Sequence, residues 1–198
     1  MNKMIFLIFV TIFIGGCSFK DVSQPIKRYD LQSVNTKKVN YSSDKVLKVA
    51  HFKSPINLQG DKIWYQVKSL RLGAYLYSSW NQNFSSMVEQ QLSSSIFKSG
   101  LFKSLFTNYS KAKADFVLEG EVVNALQIVG KDNSKVVFEI RLYLINSKNH
   151  KIVGSKEFAY AQKCKRSDAI GAIKAYNEIV KVFDKEVILW LKRLAKGD

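Results

Sequence analysis

The chain has 198 residues, 46% of them apolar, which suits one folded domain with a core and excludes a disordered polar chain. Lysine and arginine number 31 against 16 acids, a formal charge of +15, which points to an anionic membrane surface or an acidic partner. A lysine-rich, soluble surface accounts for the same charge. The lysines are scattered, and no arginine-rich stripe or nucleic-acid motif occurs, so no nucleic-acid partner is expected.

The N-terminus reads first as a targeting segment. Lys3 is its one charge, and Ile5 to Ile14 is apolar with only Thr11 interrupting. This run is short for a bilayer span, which needs about 20 apolar residues. It has the layout of a signal peptide, residues 1–16. The exit Ile14-Gly15-Gly16-Cys17 resembles the bacterial lipobox, with a branched residue three positions before a cysteine and small residues between. Those glycines leave the thiol accessible to diacylglycerol transfer and to cleavage just before it. Cys17 is therefore the expected lipidation site, and the mature chain keeps 30 basic residues against 16 acids. Several acyl chains, at about 0.8 kcal/mol per buried CH₂, anchor such a protein firmly. Ser18, where a retained lipoprotein carries aspartate, points to the outer membrane over the inner, on the periplasmic side.

Residues 17–28, polar and carrying Pro25, read as a tether, and residues 29–198 as a single domain. Tyr29-Asp30-Leu31 suits an edge strand, and residues 35–45 a loop. Val46 to Phe52, Ile63 to Val67 and Leu70 to Tyr77 follow as strands. In the last, Leu70, Leu72, Ala74 and Leu76 share one face, and Arg71, Gly73, Tyr75 and Tyr77 the other.

A helix follows, with Asn81 or Asn83 as its cap. Phe84, Val88, Leu92 and Ile96 repeat every four residues, and Gly100 terminates it. Ser85, Ser86, Gln90, Ser93 and Ser94 form its expected outer face. Leu101 to Thr107 reads as a strand. Phe116, Leu118, Val122, Leu126 and Ile128 share one parity. Beyond the turn Gly130 to Asn133, so do Val136, Phe138, Ile140, Leu142 and Leu144. That is a long antiparallel hairpin with one buried face. A turn from Asn146 to His150 leads to a strand through Phe158 and Tyr160.

A final amphipathic helix, capped by Ser167 or Asp168, carries Ile173, Tyr176, Val180, Phe183, Val187, Trp190 and Leu194. The spacing suits a coiled-coil seam. Packing across the sheet is preferred, because a sheet with an apolar face needs a cover. The expected fold class is α+β, an α/β sandwich with a curved, mainly antiparallel sheet and two helices on one face.

Chemistry is sparse. His51 falls in a strand and His150 in a turn. No Gly-x-Ser-x-Gly, His-Glu-x-x-His or Cys-x-x-Cys occurs, and no ligand set has metal spacing. Cys164 lies among Lys163, Lys165 and Arg166, which could depress a thiol pKa. No histidine lies near it in sequence, and it reads as an incidental junction residue. Glu119, Glu121 and Glu139 read as solvated strand residues. No enzyme, metal or cofactor is expected. The aromatics Trp64, Tyr65, Tyr75, Tyr77 and Trp80 do stand out; Trp64, Tyr75, Tyr77 and Trp80 are the interface candidates if the sheet is apolar on both sides there.

The mature chain resembles the auxiliary lipoprotein components of ABC-type transport systems, the paraquat-inducible protein C type. The matching residues run in order: the lipobox, Tyr29-Asp30-Leu31, the strand Val46 to Pro55, and Tyr75-x-Tyr77-x-x-Trp80 before a helix. Then come Leu92 with Gly100-Leu101-Phe102, Ala114-Asp115-Phe116-Val117-Leu118-Glu119-Gly120, and a last helix ending in Trp190-Leu191. Asn81-Gln82-Asn83 stands where the family usually carries prolines. The resemblance implies a non-catalytic periplasmic subunit that partners an MCE-domain protein in phospholipid transport between two membranes. The alternative is a lipid- or lipopolysaccharide-binding envelope lipoprotein acting without a transporter. Phospholipid contact and self-association are further partners this reading admits.

Overall fold

A computed structural model describes residues 24–67, 71–108, 110–131 and 133–197. The signal peptide, the lipobox and Cys17 lie outside the described residues, as does Leu70.

The order is β1 (Lys27–Tyr29), β2 (Ser43–Val49), β3 (Lys62–Val67), β4 (Arg71–Trp80), α1 (Phe84–Ser99), β5 (Phe102–Phe106), β6 (Phe116–Val129), β7 (Ser134–Asn146), β8 (Ile152–Lys163) and α2 (Ala169–Lys196). This is an α+β fold with one mixed eight-stranded sheet. β6 is its hub. β7 runs antiparallel along one edge of β6 for its whole length, and β8 pairs antiparallel with β7. The other edge of β6 is shared. β2 takes Phe116 to Leu118 and β3 takes Gln127 to Val129, both parallel. β5 extends β2, and β4 with β1 extends β3. The longest ladders are antiparallel, and the short β1, β2 and β5 pairings are parallel.

β1 takes in Lys27 and Arg28, which the polar composition had assigned to the tether. Its edge position, parallel to Ser78–Trp80 of β4, needs no apolar period, so composition carries no signal for it. β2 begins at Ser43, inside the expected loop, where the Ser43 N–H donates to the Leu101 carbonyl at 2.7 Å.

Both helices cover one face. Asn83 caps α1 by accepting from the Ser85 N–H at 2.9 Å, and Gly100 ends it at φ +66°, a left-handed conformation suited to glycine. Asp168 caps α2 through the Gly171 N–H at 2.8 Å. Gly171 is fixed by space: a Cβ there would sit 1.9 Å from the Arg166 carbonyl oxygen. α2 lays its stripe across β7 and β8. The Phe183 ring meets Phe138 at 5.6 Å and Phe158 at 5.5 Å edge-on, and Trp190 meets Phe158 at 6.0 Å. The coiled-coil alternative falls away, since Ile173 to Trp190 of the stripe are buried within the domain.

Two expectations are corrected. A β-bulge between Val122 and Asn124 reverses the parity of β6. Leu118, Gly120 and Val122 face the helices before it, and Ala125 and Gln127 do after it. Leu126 and Ile128, expected in the core, therefore face outward beside Val137 and Lys135. On α1, Ser85 and Ser93 are buried, not solvated. The Ser85 hydroxyl donates to Asn83 Oδ1 at 2.7 Å and lies 3.3 Å from the Phe52 carbonyl, on a side of α1 covered by the segment after β2.

Candidate functional site

Two surfaces stand apart from the rest: the outward face of β3–β4 and a groove along α2.

On the outward face, register places Trp64 opposite Ala74, Gln66 opposite Leu72, and Ile128 beside Gln66. Leu126 and Val137 continue this face across the sheet. Leu76 is 78% exposed and Leu72 52% exposed. Exposed Lys62, Lys135 and Lys163 border it, and the Lys62 Nζ lies 5.7 Å over the Trp64 ring. The acids of this face lie farther along the sheet, where Arg141 Nε donates to Glu157 Oε2 at 2.7 Å, with Glu121 at 3.9 Å. Glu119, Glu121 and Glu157 are exposed there, and Glu139 is half-buried.

The structure separates the four interface aromatics. Trp64 is partly exposed on the apolar face, and Tyr77 is half-exposed. Tyr75 turns to the helix side, donates to Gln127 Oε1 at 2.7 Å and lies 4.9 Å from the Tyr65 ring. Burial pushes its hydroxyl pKa up to about 12. Trp80 is 3% exposed, between Phe84 and Tyr176 in the core, so it offers no surface. A register shift in β4 between its pairings Ala74↔Trp64 and Ser79↔Lys62 moves Trp80 inward, which strict alternation does not predict.

The groove, about 630 Å³, lies between the irregular segment 33–39 and the turns of α2 from Lys181 to Leu189. Segment 33–39 is held at both ends: Gln32 N–H donates to Asn177 Oδ1 at 2.7 Å, and Val39 N–H to the Ser99 carbonyl at 3.0 Å. Asp184 lines the groove and is 1% exposed. Its Oδ2 accepts from the Ser95 hydroxyl at 2.5 Å and from the Gln91 amide at 3.1 Å. Desolvation pushes the carboxyl up to about 6, while those two hydrogen bonds pull the other way. This site escaped the sequence reading. The one available signal was Asp184 itself, an acid one step from Phe183 on an otherwise apolar stripe. A second groove, about 560 Å³, opens near the start of α2 and is lined by Lys163, Lys165, Arg166, Lys174 and Glu178 among others.

The remaining candidates do not converge. His51 is exposed with its Nδ1 3.3 Å from Glu89 Oε2, and His150 sits in an exposed turn at φ +58°. Cys164 is buried, and burial pushes its thiol pKa up, against any activation by its basic neighbours. Among the described residues no group of three metal-ligating side chains forms, and no helix is long and apolar enough to cross a membrane.

Comparison with protein-family models and with curated proteins finds no match. Solved structures do share the fold. The Xanthomonas campestris protein XCC0632, described as DUF330, is 17% identical, with a TM-score of 0.79 over 87% of this chain and 98% of its own. An uncharacterised protein is 13% identical, with a TM-score of 0.65 over 85% of this chain and 99% of its own. The hypothetical protein CT253 of Chlamydia trachomatis is 10% identical, with a TM-score of 0.53 over 79% of this chain and all of its own. At these identities the likeness establishes the fold.

Proposed function

We propose that the protein is a lipid-anchored envelope lipoprotein and a non-catalytic docking subunit of an MCE-linked, ABC-type phospholipid transport system. The observation that carries this reading is the apolar face of β3–β4, which no helix among the described residues covers, with lysines along its border. Contiguous exposed apolar surface in a folded domain marks an interaction site. β1 borders β4, and Lys27 lies ten positions after Cys17, a reach of about 33–36 Å. The anchor thus keeps this face close to the membrane, where a periplasmic transporter subunit with acidic surface would meet it. The lipobox and the family resemblance support the same reading, with the outer membrane favoured by Ser18.

Two measurements test it. Labelled palmitate fed to cells should enter the wild-type chain and not Cys17→Ser; equal incorporation removes the anchor. A photo-crosslinking residue at Leu76 should capture the MCE-domain subunit, and one at Glu157 should not. No capture at Leu76, or equal capture at both, removes the docking role.

The groove favours a second reading, an envelope lipoprotein that binds lipid itself. Its size lies within the usual range for ligand sites, about 300–1,000 Å³, and Val34, Val39, Ile188 and Leu189 make much of its wall apolar.

A further inference from the structure

The groove on α2 holds an unmet hydrogen-bonding demand. Asp184 Oδ2 has its two donors, Ser95 and Gln91. Its Oδ1 is buried and has no hydrogen-bond partner among the described residues, nor has the buried Oγ1 of Thr36, another residue of the groove. An unsatisfied buried acceptor is destabilising, and a charged one more so. Such an atom is best satisfied by a cationic N–H donor, since a charge-assisted bond is the strong kind.

The groove's own cations do not fill this role. Lys37, Lys38 and Lys185 are exposed at its rim, and Lys181 pairs with Glu178 at 2.9 Å. The arrangement is layered: a buried carboxylate, an apolar wall of Val34, Val39, Ile188 and Leu189, and ammonium groups at the mouth. A ligand complementary to all three carries an N–H cation, a nearby phosphate and an aliphatic chain. An anionic head group without an amine leaves Asp184 unmet. A choline head group brings a cation with no N–H to donate.

We infer that the groove between segment 33–39 and α2 binds a phospholipid with a primary ammonium head group, of the phosphatidylethanolamine class. Its ammonium donates to Asp184 Oδ1, its phosphate meets the rim lysines, and the start of an acyl chain lies on the Val34–Ile188 wall. The rest of the chains stays outside the half-open groove. Burial already raises the Asp184 carboxyl pKa, and an ammonium at Oδ1 reverses that by favouring the ionised form. This inference rests on the lipid-binding reading and is independent of the docking one.

The test uses the full-length protein reconstituted into phosphatidylcholine vesicles. Each preparation carries one photoactivatable probe lipid with an ethanolamine, choline or glycerol head group. Labelled peptides are mapped by mass spectrometry. The ethanolamine probe should label 33–39 and 181–189 roughly tenfold or more over the other two, the ratio a charge-assisted hydrogen bond gives. Asp184→Asn should reduce that preference to the level of the choline probe. Should Asp184→Asn misfold, as its melt would reveal, the exposed pair Lys37→Glu and Lys38→Glu serves instead, and should cut labelling by all three. Equal labelling by the three probes in the wild type overturns the head-group inference and leaves lipid binding standing. Labelling that avoids both segments overturns both.

Discussion

The hairpins β6–β7 and β3–β4 share one sheet and similar alternation, yet their apolar faces end in opposite places. In β7 the residues Val136, Phe138, Ile140, Leu142 and Leu144 are all fully buried under the helices. In β4 the leucines Leu72 and Leu76 face water, and Tyr75 turns inward. The difference is cover. α2 contacts β7 and β8, and α1 contacts β5 and β6. The outward side of β3–β4 faces away from both helices. Alternation reports which side chains share a face; which face is buried is decided by the element packed on it.

The largest expected effect removes the cover. Ending the chain at Ser167 deletes α2 and with it nine large buried apolar side chains. At about 1.5–3 kcal/mol each, that matches or exceeds the roughly 5–15 kcal/mol by which a domain is typically stable. The truncated domain should show no cooperative thermal melt. A retained melt would make β7 as indifferent to cover as β4 and erase the contrast. Within α2, Phe183→Ala should cost about 3–5 kcal/mol in denaturant unfolding, because that ring is fully buried against Phe138 and Phe158.

That seam was fully legible in sequence. Ile173 to Trp190 alternates by three and four, and Val136 to Leu144 by two, and both patterns hold without interruption. Legibility failed where one residue broke the period. The bulge after Val122 moved Leu126 and Ile128 outward, and the register shift in β4 moved Trp80 inward. Local composition carries little trace of either event, since both depend on pairing with a distant strand. The groove failed for another reason. Segment 33–39 is polar and irregular, and it is held beside Asp184 by hydrogen bonds to residues distant in sequence, among them Asn177, Ser99 and Lys98.

Asp184 sharpens the comparison from inside the covered side, where a charge is costly. The carboxyl pKa of about 6 exceeds the ordinary 3.8. Between those pH values the folded state holds a proton the unfolded state lacks. Stability from this group is therefore full below about pH 4 and lost as pH rises through 6. A rise from 3.8 to about 6 corresponds to roughly 3 kcal/mol in order of magnitude. The stability difference between wild type and Asp184→Asn should change by that amount between pH 4 and pH 7.5, moving against the wild type as pH rises. A difference independent of pH would mean that the carboxyl is already charged and satisfied in the fold.

The smallest effect is the most pointed. Leu142 is fully buried on β7, and Leu76 is mostly exposed on β4. The same truncation at both positions compares the two faces directly. Leu142→Ala removes packed methyls and leaves a cavity, at a cost of about 2–5 kcal/mol. Leu76→Ala removes atoms that already touch water, so the isolated protein should unfold within about 0.5 kcal/mol of wild type. Denaturant midpoints at constant slope measure both. A cost above about 1 kcal/mol at Leu76 would mean that something already covers this face in the isolated protein, a second copy of the chain being the first to examine by ultracentrifugation. A silent Leu76→Ala in the free protein, joined to a loss of co-purification with the proposed docking partner, assigns the side chain to an interface and not to the fold.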